Sequence, residues 1–142
     1  MKDIIKLLHE KDYSCVIKNR DEIHTFSHRG VKDLYWLLTH NPDLLKGAFA
    51  VDKVVGKAAA SLWILGGIDE LYTDLISRPA LQMLQHHNIK ISFRHEVPVL
   101  LNCHRNDWCP LELLCFKEHS LETIRDKIRD FLHSKTTHEN TG

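Results

Sequence analysis

The stretch 51–67, VDKVVGKAAASLWILGG, constrains the fold of this 142-residue chain more than any other segment. It reads as the end of a buried strand, a sharp turn, and a helix with almost no solvated face. Gly47-Ala48-Phe49-Ala50-Val51 supplies the strand, although those five residues alone suit strand or helix. Asp52 then fits the N-cap position, where its carboxylate would accept from the backbone N–H groups of Val54 and Val55. Val54, Val55, Ala58, Ala59, Leu62 and Trp63 recur at helical spacing, and Gly66-Gly67 permits a left-handed C-terminal cap. Only Lys53, Lys57 and Ser61 form a polar stripe, so the expectation is a core helix packed on a sheet. Its N-terminus, where unpaired N–H groups meet the positive dipole end, is the expected ligand position.

Length and composition bound the rest. The chain is sized for one domain, expected over residues 1–134, with a disordered polar tail over 135–142. Nineteen basic residues balance nineteen acidic ones, and eleven histidines add charge only below about pH 6. There is thus no general electrostatic pull toward nucleic acid or an anionic membrane. No apolar run reaches the roughly 18 residues of a membrane span, and the charged start MKDIIKLLHEKD is not expected to be a signal peptide. Four cysteines, at 15, 103, 109 and 115, include no Cys-x-x-Cys pair. They read as reduced thiols of a cytoplasmic protein.

In chain order, residues 2–10 form a short amphipathic helix. Residues 13–18 and 22–26 make a hairpin about Asn19-Arg20-Asp21. Residues 31–39 carry Val31, Leu34, Tyr35 and Leu38 on one helical face, ended by Asn41-Pro42. After the central strand and helix come a strand at 70–77 and a helix from Pro79 to about His87, with Asn88 as its cap. A strand follows at 90–95, then an edge strand or extended connection at 97–101, interrupted by Pro98. Residues 103–108 read as a polar loop, Cys109-Pro110 opens a short helix through Cys115, and Ser120 caps the last helix. Strands alternating with helices after a hairpin indicate an α/β domain: three α/β/α layers about a mixed sheet.

Five segments carry a resemblance. They are Arg29-Gly30-Val31, Leu45-Lys46-Gly47-Ala48, Asp52 through Ala60, Ile76-Ser77-x-Pro79-Ala80-Leu81, and Cys109-Pro110-Leu111-Glu112. Together they resemble a small, uncharacterised bacterial domain family with a cytidine-deaminase-like fold, over about residues 10–117. In true deaminases the helix after the central strand begins with His/Cys-x-Glu and the next helix with Pro-Cys-x-x-Cys. These supply three zinc ligands and a general acid/base. The resemblance sets Asp52-Lys53-Val54 and Arg78-Pro79-Ala80-Leu81 at those places, so the zinc motifs are degenerate. It implies a fold without zinc-dependent deamination, because a catalytic zinc needs three protein ligands. The Asp-Lys-Val-Val-Gly run is also similar to sulfur-carrier proteins that mature formate dehydrogenase, whose paired cysteines are missing from this chain.

The candidate ligand-binding residues are Asp52, Lys53, Gly56, Lys57 and Glu112. Asp52 acts as a cap or accepts from a ligand. Lys53 and Lys57 suit a phosphate or carboxylate beside the helix N-terminus, or line a solvated edge. Gly56 in a helix costs about 1 kcal/mol against alanine, which points to close packing or close ligand approach. Cys109 is the candidate nucleophile, since a helix N-terminus favours thiolate, with His104, Arg105 and Asp107 as base and anion partners. Glu112 could satisfy first-turn N–H groups. The six-residue spacing of Cys103, Cys109 and Cys115 is no standard zinc pattern, and His86-His87 reads as a solvated helix end. No metal and no cofactor are expected. The leading function is a small-molecule-binding domain for an anionic or nucleotide-like metabolite. One alternative is a thiol-dependent enzyme of group or sulfur transfer using Cys109, and another is a structural or homo-oligomer-forming protein.

Overall fold

The computed structural model describes residues 2–28, 31–101 and 107–141, with side chains described as far as residue 134. Helix α1 (Lys2–Glu10) leads into the hairpin β1 (Cys15–Asn19) and β2 (Glu22–Phe26), where Arg20 takes the left-handed conformation at the turn. Helix α2 (Lys32–His40) and a 3-10 turn (Pro42–Leu44) precede β3 (Phe49–Val55). Two strand–helix–strand units follow, through α3 (Lys57–Gly66), β4 (Glu70–Ser77), α4 (Arg78–His86) and β5 (Lys90–Val97). The chain ends in α5 (Pro110–Cys115) and α6 (Leu121–Thr141).

The sheet is mixed, in the order β2-β1-β3-β4-β5. β1 runs antiparallel to both β2 and β3, whereas β3, β4 and β5 are parallel. On one face α1 buries Ile4 and Leu8 against Val16 and Val51. The other face holds the main core, in which α2, α3, α4, α5 and α6 all bury side chains. Trp63 on α3 is the largest fully buried side chain. Apolar burial of this kind is the main favourable term in folding. The architecture is the expected three-layer α/β arrangement.

Several local expectations change. Asp52 is not an N-cap, because β3 continues through it to Val55. Its backbone is registered against Cys15 of β1 and Thr73 of β4. The β-branched Val51, Val54 and Val55 suit that ladder better than a helix. The N-cap of α3 is Gly56, in extended backbone (φ −102°, ψ −174°), so Gly56 does not sit inside a helix. The stripe Lys53-Lys57-Ser61 is not a solvated edge either. Lys53 lies on the strand, while Lys57 (7% exposed) and Ser61 are buried.

The far end of α3 follows expectation. Gly67 adopts φ 77° and its N–H reaches the carbonyls of Trp63 and Ile64, which closes the helix. At the end of α4 the cap is His87, and Asn88 supplies the left-handed residue just beyond it. Ser120 caps α6, its Oγ accepting from the Thr123 N–H at 3.2 Å. α6 also takes in residues 135–141 of the stretch expected as a disordered tail.

Candidate functional site

β3 and β4 end side by side, and each feeds a helix that starts at the same rim of the sheet. Ser77 caps α4 through its own side chain, accepting from the Ala80 N–H at 3.3 Å. Gly56 has no such oxygen, so α3 is capped from elsewhere in the chain. Glu112 on α5 sends its carboxylate onto the helix start, where Oε2 accepts from the Lys57 N–H at 2.9 Å and Oε1 lies 3.5 Å from the Ala58 N–H. A carboxylate is favoured there because it meets unpaired donors and the positive end of the helix. A Cβ on Gly56 would overlap that carboxylate and sit 2.6 Å from Leu100 Cδ1. The glycine is the seat for Glu112. Burial raises the Glu112 pKa, and the N–H groups of Lys57 and Ala58 pull it partly back.

Lys57 turns away from this rim. Its Nζ donates to the Phe116 carbonyl at 2.8 Å, and desolvation lowers its pKa. The expected anion site at the α3 N-terminus is thus held by the chain's own Glu112, with the Lys57 ammonium committed behind it.

Asp52 faces α3 rather than capping it. Trp63 Nε1 donates to its Oδ2 at 3.2 Å. The pKa of Asp52 is raised from 3.8 to about 7, chiefly by burial. The Trp63 indole and the backbone N–H groups of Val54 and Lys53 oppose that rise, and the nearby Asp74 charge adds to it. Cys15, across the β1–β3 ladder, has its thiol pushed well above the usual range by burial and then by Asp52.

Asp52 touches two cavities. A side cavity of about 20 Å³ lies among Ser14, Cys15, His28, Asp33 and Trp63. A cleft of about 840 Å³ opens at the carboxyl ends of the parallel strands, the usual ligand position in such sheets. Its apolar walls come from Val54, Leu75, Val97, Val99, Leu100, Leu101 and Leu111. Its charged lining is Asp12, Asp52, Lys53 and Glu112, and Lys53 is ion-paired with Asp12. The cleft is therefore apolar with an acidic bias.

The starts of α3 and α4 read Gly56-Lys57-Ala58 and Arg78-Pro79-Ala80. Neither offers a thiol, an imidazole or a carboxylate, and among the described residues no three His, Cys, Asp or Glu side chains cluster as metal ligands. The described residues at these two helix starts do not fit a zinc ion.

With this geometry in hand, comparison with known proteins gives a family. A family model described as TM1506, domain of unknown function (DUF1893), matches residues 3–132. The chain belongs to the DUF1893 family. A DUF1893 family protein (TM1506) from Thermotoga maritima, with a crystal structure at 2.70 Å resolution, superposes with a TM-score of 0.85 at 26% identity. The match covers 91% of this chain and 87% of that one. Nothing among curated proteins matches.

In this DUF1893 chain the cleft gathers Asp52, Lys53, Gly56, Cys109 and Glu112 from β3, the α3 start and α5. Lys57 stands behind it. Cys109 is half-buried as the N-cap residue of α5. Of its expected partners, His104 and Arg105 lie outside the described residues, as does Cys103. The Asp107 carboxylate accepts from the adjacent Trp108 N–H at 2.8 Å. His86 and His87 pack edge-to-face at the end of α4. Sequence reasoning does not single out Asp12, Ser14, Cys15 or Trp63 as site residues. Trp63 lies eleven residues beyond Asp52, and its apolar spacing points to core. The others arrive through antiparallel pairing of β1 with β3, which local sequence does not announce.

Proposed function

We propose that this DUF1893 domain binds a small, nucleoside-like metabolite in the cleft over Asp52, on a cytidine-deaminase-like scaffold that does not use zinc. The observation that carries the reading is the Asp52 carboxyl, enclosed against Trp63 yet open to a cleft of about 840 Å³. That volume is in the range of small-ligand sites, and apolar walls with few polar groups are their usual lining. In its neutral form a carboxyl presents a donor and an acceptor side by side. That pair matches the amino N–H and ring nitrogen at the edge of a nucleobase.

The anionic half of the expectation loses support. The first N–H groups of α3 are taken by Glu112, Lys53 is paired with Asp12, and Lys57 points to Phe116. A neutral or cationic ligand suits the remaining charges better. The scaffold reading rests on the paired helix starts after β3 and β4, where deaminases carry their zinc motifs. With α3 starting at Lys57, the first motif place shifts from Asp52-Lys53-Val54 to Gly56-Lys57-Ala58, still without ligands.

The test is calorimetric titration with cytidine, adenosine and their 5′-monophosphates. Nucleoside binding that weakens roughly 10- to 100-fold in Asp52→Ala supports the reading, since a buried hydrogen-bonding group is worth about 1–3 kcal/mol. No nucleoside binding, or binding indifferent to Asp52, sinks it. A thiol-dependent enzyme is the second reading, because Cys109 lines the same cleft. α5 has only six residues, however, and of the carboxylates close to Cys109 in sequence Asp107 accepts from the Trp108 N–H and Glu112 from the Lys57 N–H.

A further inference from the structure

The outer edge of β5 is the longest unpaired strand edge among the described residues, eight residues against five for β2. Such an edge is a template for another strand unless something blocks it. Lys90-Ile91-Ser92-Phe93-Arg94-His95-Glu96-Val97 is exposed along nearly its whole length, and even Phe93 is 39% exposed. Alternation sets Ile91, Phe93, His95 and Val97 on one face and Lys90, Ser92, Arg94 and Glu96 on the other. Of the first set, Ile91 packs against the main core.

We propose that β5 pairs antiparallel with β5 of a second copy of this chain, about a two-fold axis at Phe93, joining two five-stranded sheets into one of ten. The geometry selects that register. A two-fold perpendicular to a continuous sheet must pass through a residue, because side chains directly opposite each other have to share a face. Centring on Ser92 sets Lys90 opposite Arg94, and centring on Arg94 sets two guanidinium groups together. Like charges directly opposite are destabilising. Centring on His95 runs the ladder into Pro98, which has no N–H to donate.

Only Phe93 gives full overlap without repulsion. It places Lys90 opposite Glu96 twice, Ser92 opposite Arg94 twice, Ile91 opposite His95 twice, and Phe93 against its own copy. Aromatic and opposite-charge pairs are the favourable cross-strand contacts. Within one chain Glu96 accepts from Arg78 at 2.9 Å and Lys90 lies 3.6 Å from Glu70, so in the dimer each charge would share its intrachain partner with the one opposite. The competing role for Lys90 and Arg94 is as charges that keep strand edges apart. That role predicts a monomer.

Sedimentation equilibrium on the full chain decides between them. The expected mass is twice the 16.5 kDa of one chain at high micromolar concentration. Glu96→Lys sets two ammonium groups opposite each other at both ends of the ladder and should weaken the dimer at least about tenfold. Lys90→Glu with Glu96→Lys restores opposite charges and should recover it. Arg78→Ala removes the same intrachain ion pair and should leave the dimer intact. Circular dichroism confirms that each variant is folded. A monomer at every concentration, or a dimer insensitive to Glu96→Lys, or one not rescued by the double reversal, overturns the proposal.

Discussion

Replacing Asp52 with asparagine separates the charge of this side chain from its shape. The carboxamide oxygen can still accept from Trp63 Nε1, so packing and the indole contact are retained. In the wild type the Asp52 pKa rises from 3.8 to about 7 on folding, because burial disfavours the anion. The folded state therefore holds a proton that the unfolded state has released between those values. Stability from this group is fully present below pH 3.8 and is lost as pH rises through about 7. The whole span corresponds to about 4 kcal/mol, of which roughly 3 kcal/mol falls between pH 5 and pH 8. The amide does not titrate, so the stability difference, Asp52→Asn minus wild type, should grow by that amount over the interval. At roughly 3 °C per kcal/mol for a chain of this size, the melting-temperature difference should widen by about 9 °C. Thermal unfolding by circular dichroism at pH 5, 6, 7 and 8 measures it. A difference that stays constant with pH would refute the burial argument for Asp52.

Three further outcomes follow from the rim. Gly56→Ala should destabilise by about 1–3 kcal/mol, since its Cβ meets the Glu112 carboxylate, and Glu112→Ala should remove most of that added cost, which a denaturation cycle reads. Iodoacetamide at pH 8 should label Cys109 before Cys115, which is fully buried with its pKa raised to about 11, and before Cys15. A Cys109 rate well above that of free cysteine would instead favour the thiol enzyme. Elemental analysis should find no stoichiometric zinc, and about one zinc per chain would show that residues away from the two helix starts assemble a site.

How far the chain can be read depends on how local the deciding interaction is. The Gly66-Gly67 stop is legible because a left-handed cap is a property of the residue itself. The hairpin, the Pro79 and Pro110 helix starts and the Ser120 cap are legible for the same reason. Asp52 is the opposite case. Asp-Lys-Val-Val suits a cap and first turn locally, but pairing with Cys15 and Thr73 draws it into the sheet. The true cap of α3 lies far along the chain, in Glu112, whose carboxylate meets the Lys57 N–H. A carboxylate for first-turn N–H groups is legible at Glu112, but its own helix is the local choice and α3 is the actual one. Lys57 reads as solvated because its period matches Lys53 and Ser61, a stripe that dissolves once the helix starts at Lys57. The cleft residues beside β1 depend on strand order, which no spacing within 11–19 encodes.

The most direct test of the proposed nucleoside cleft is the Trp63 indole resonance. The sequence has three tryptophans, so the indole N–H region of a ¹H–¹⁵N spectrum is simple. Trp63 donates to Asp52 at the cleft, whereas Trp36 is exposed on α2 and stacks on His40. Titration with cytidine or adenosine should move the Trp63 indole signal in a saturable way and leave Trp36 in place. Asp52→Ala should abolish that response. A Trp63 signal that does not move with either nucleoside, or moves equally in Asp52→Ala, would contradict a nucleoside-binding cleft at this position.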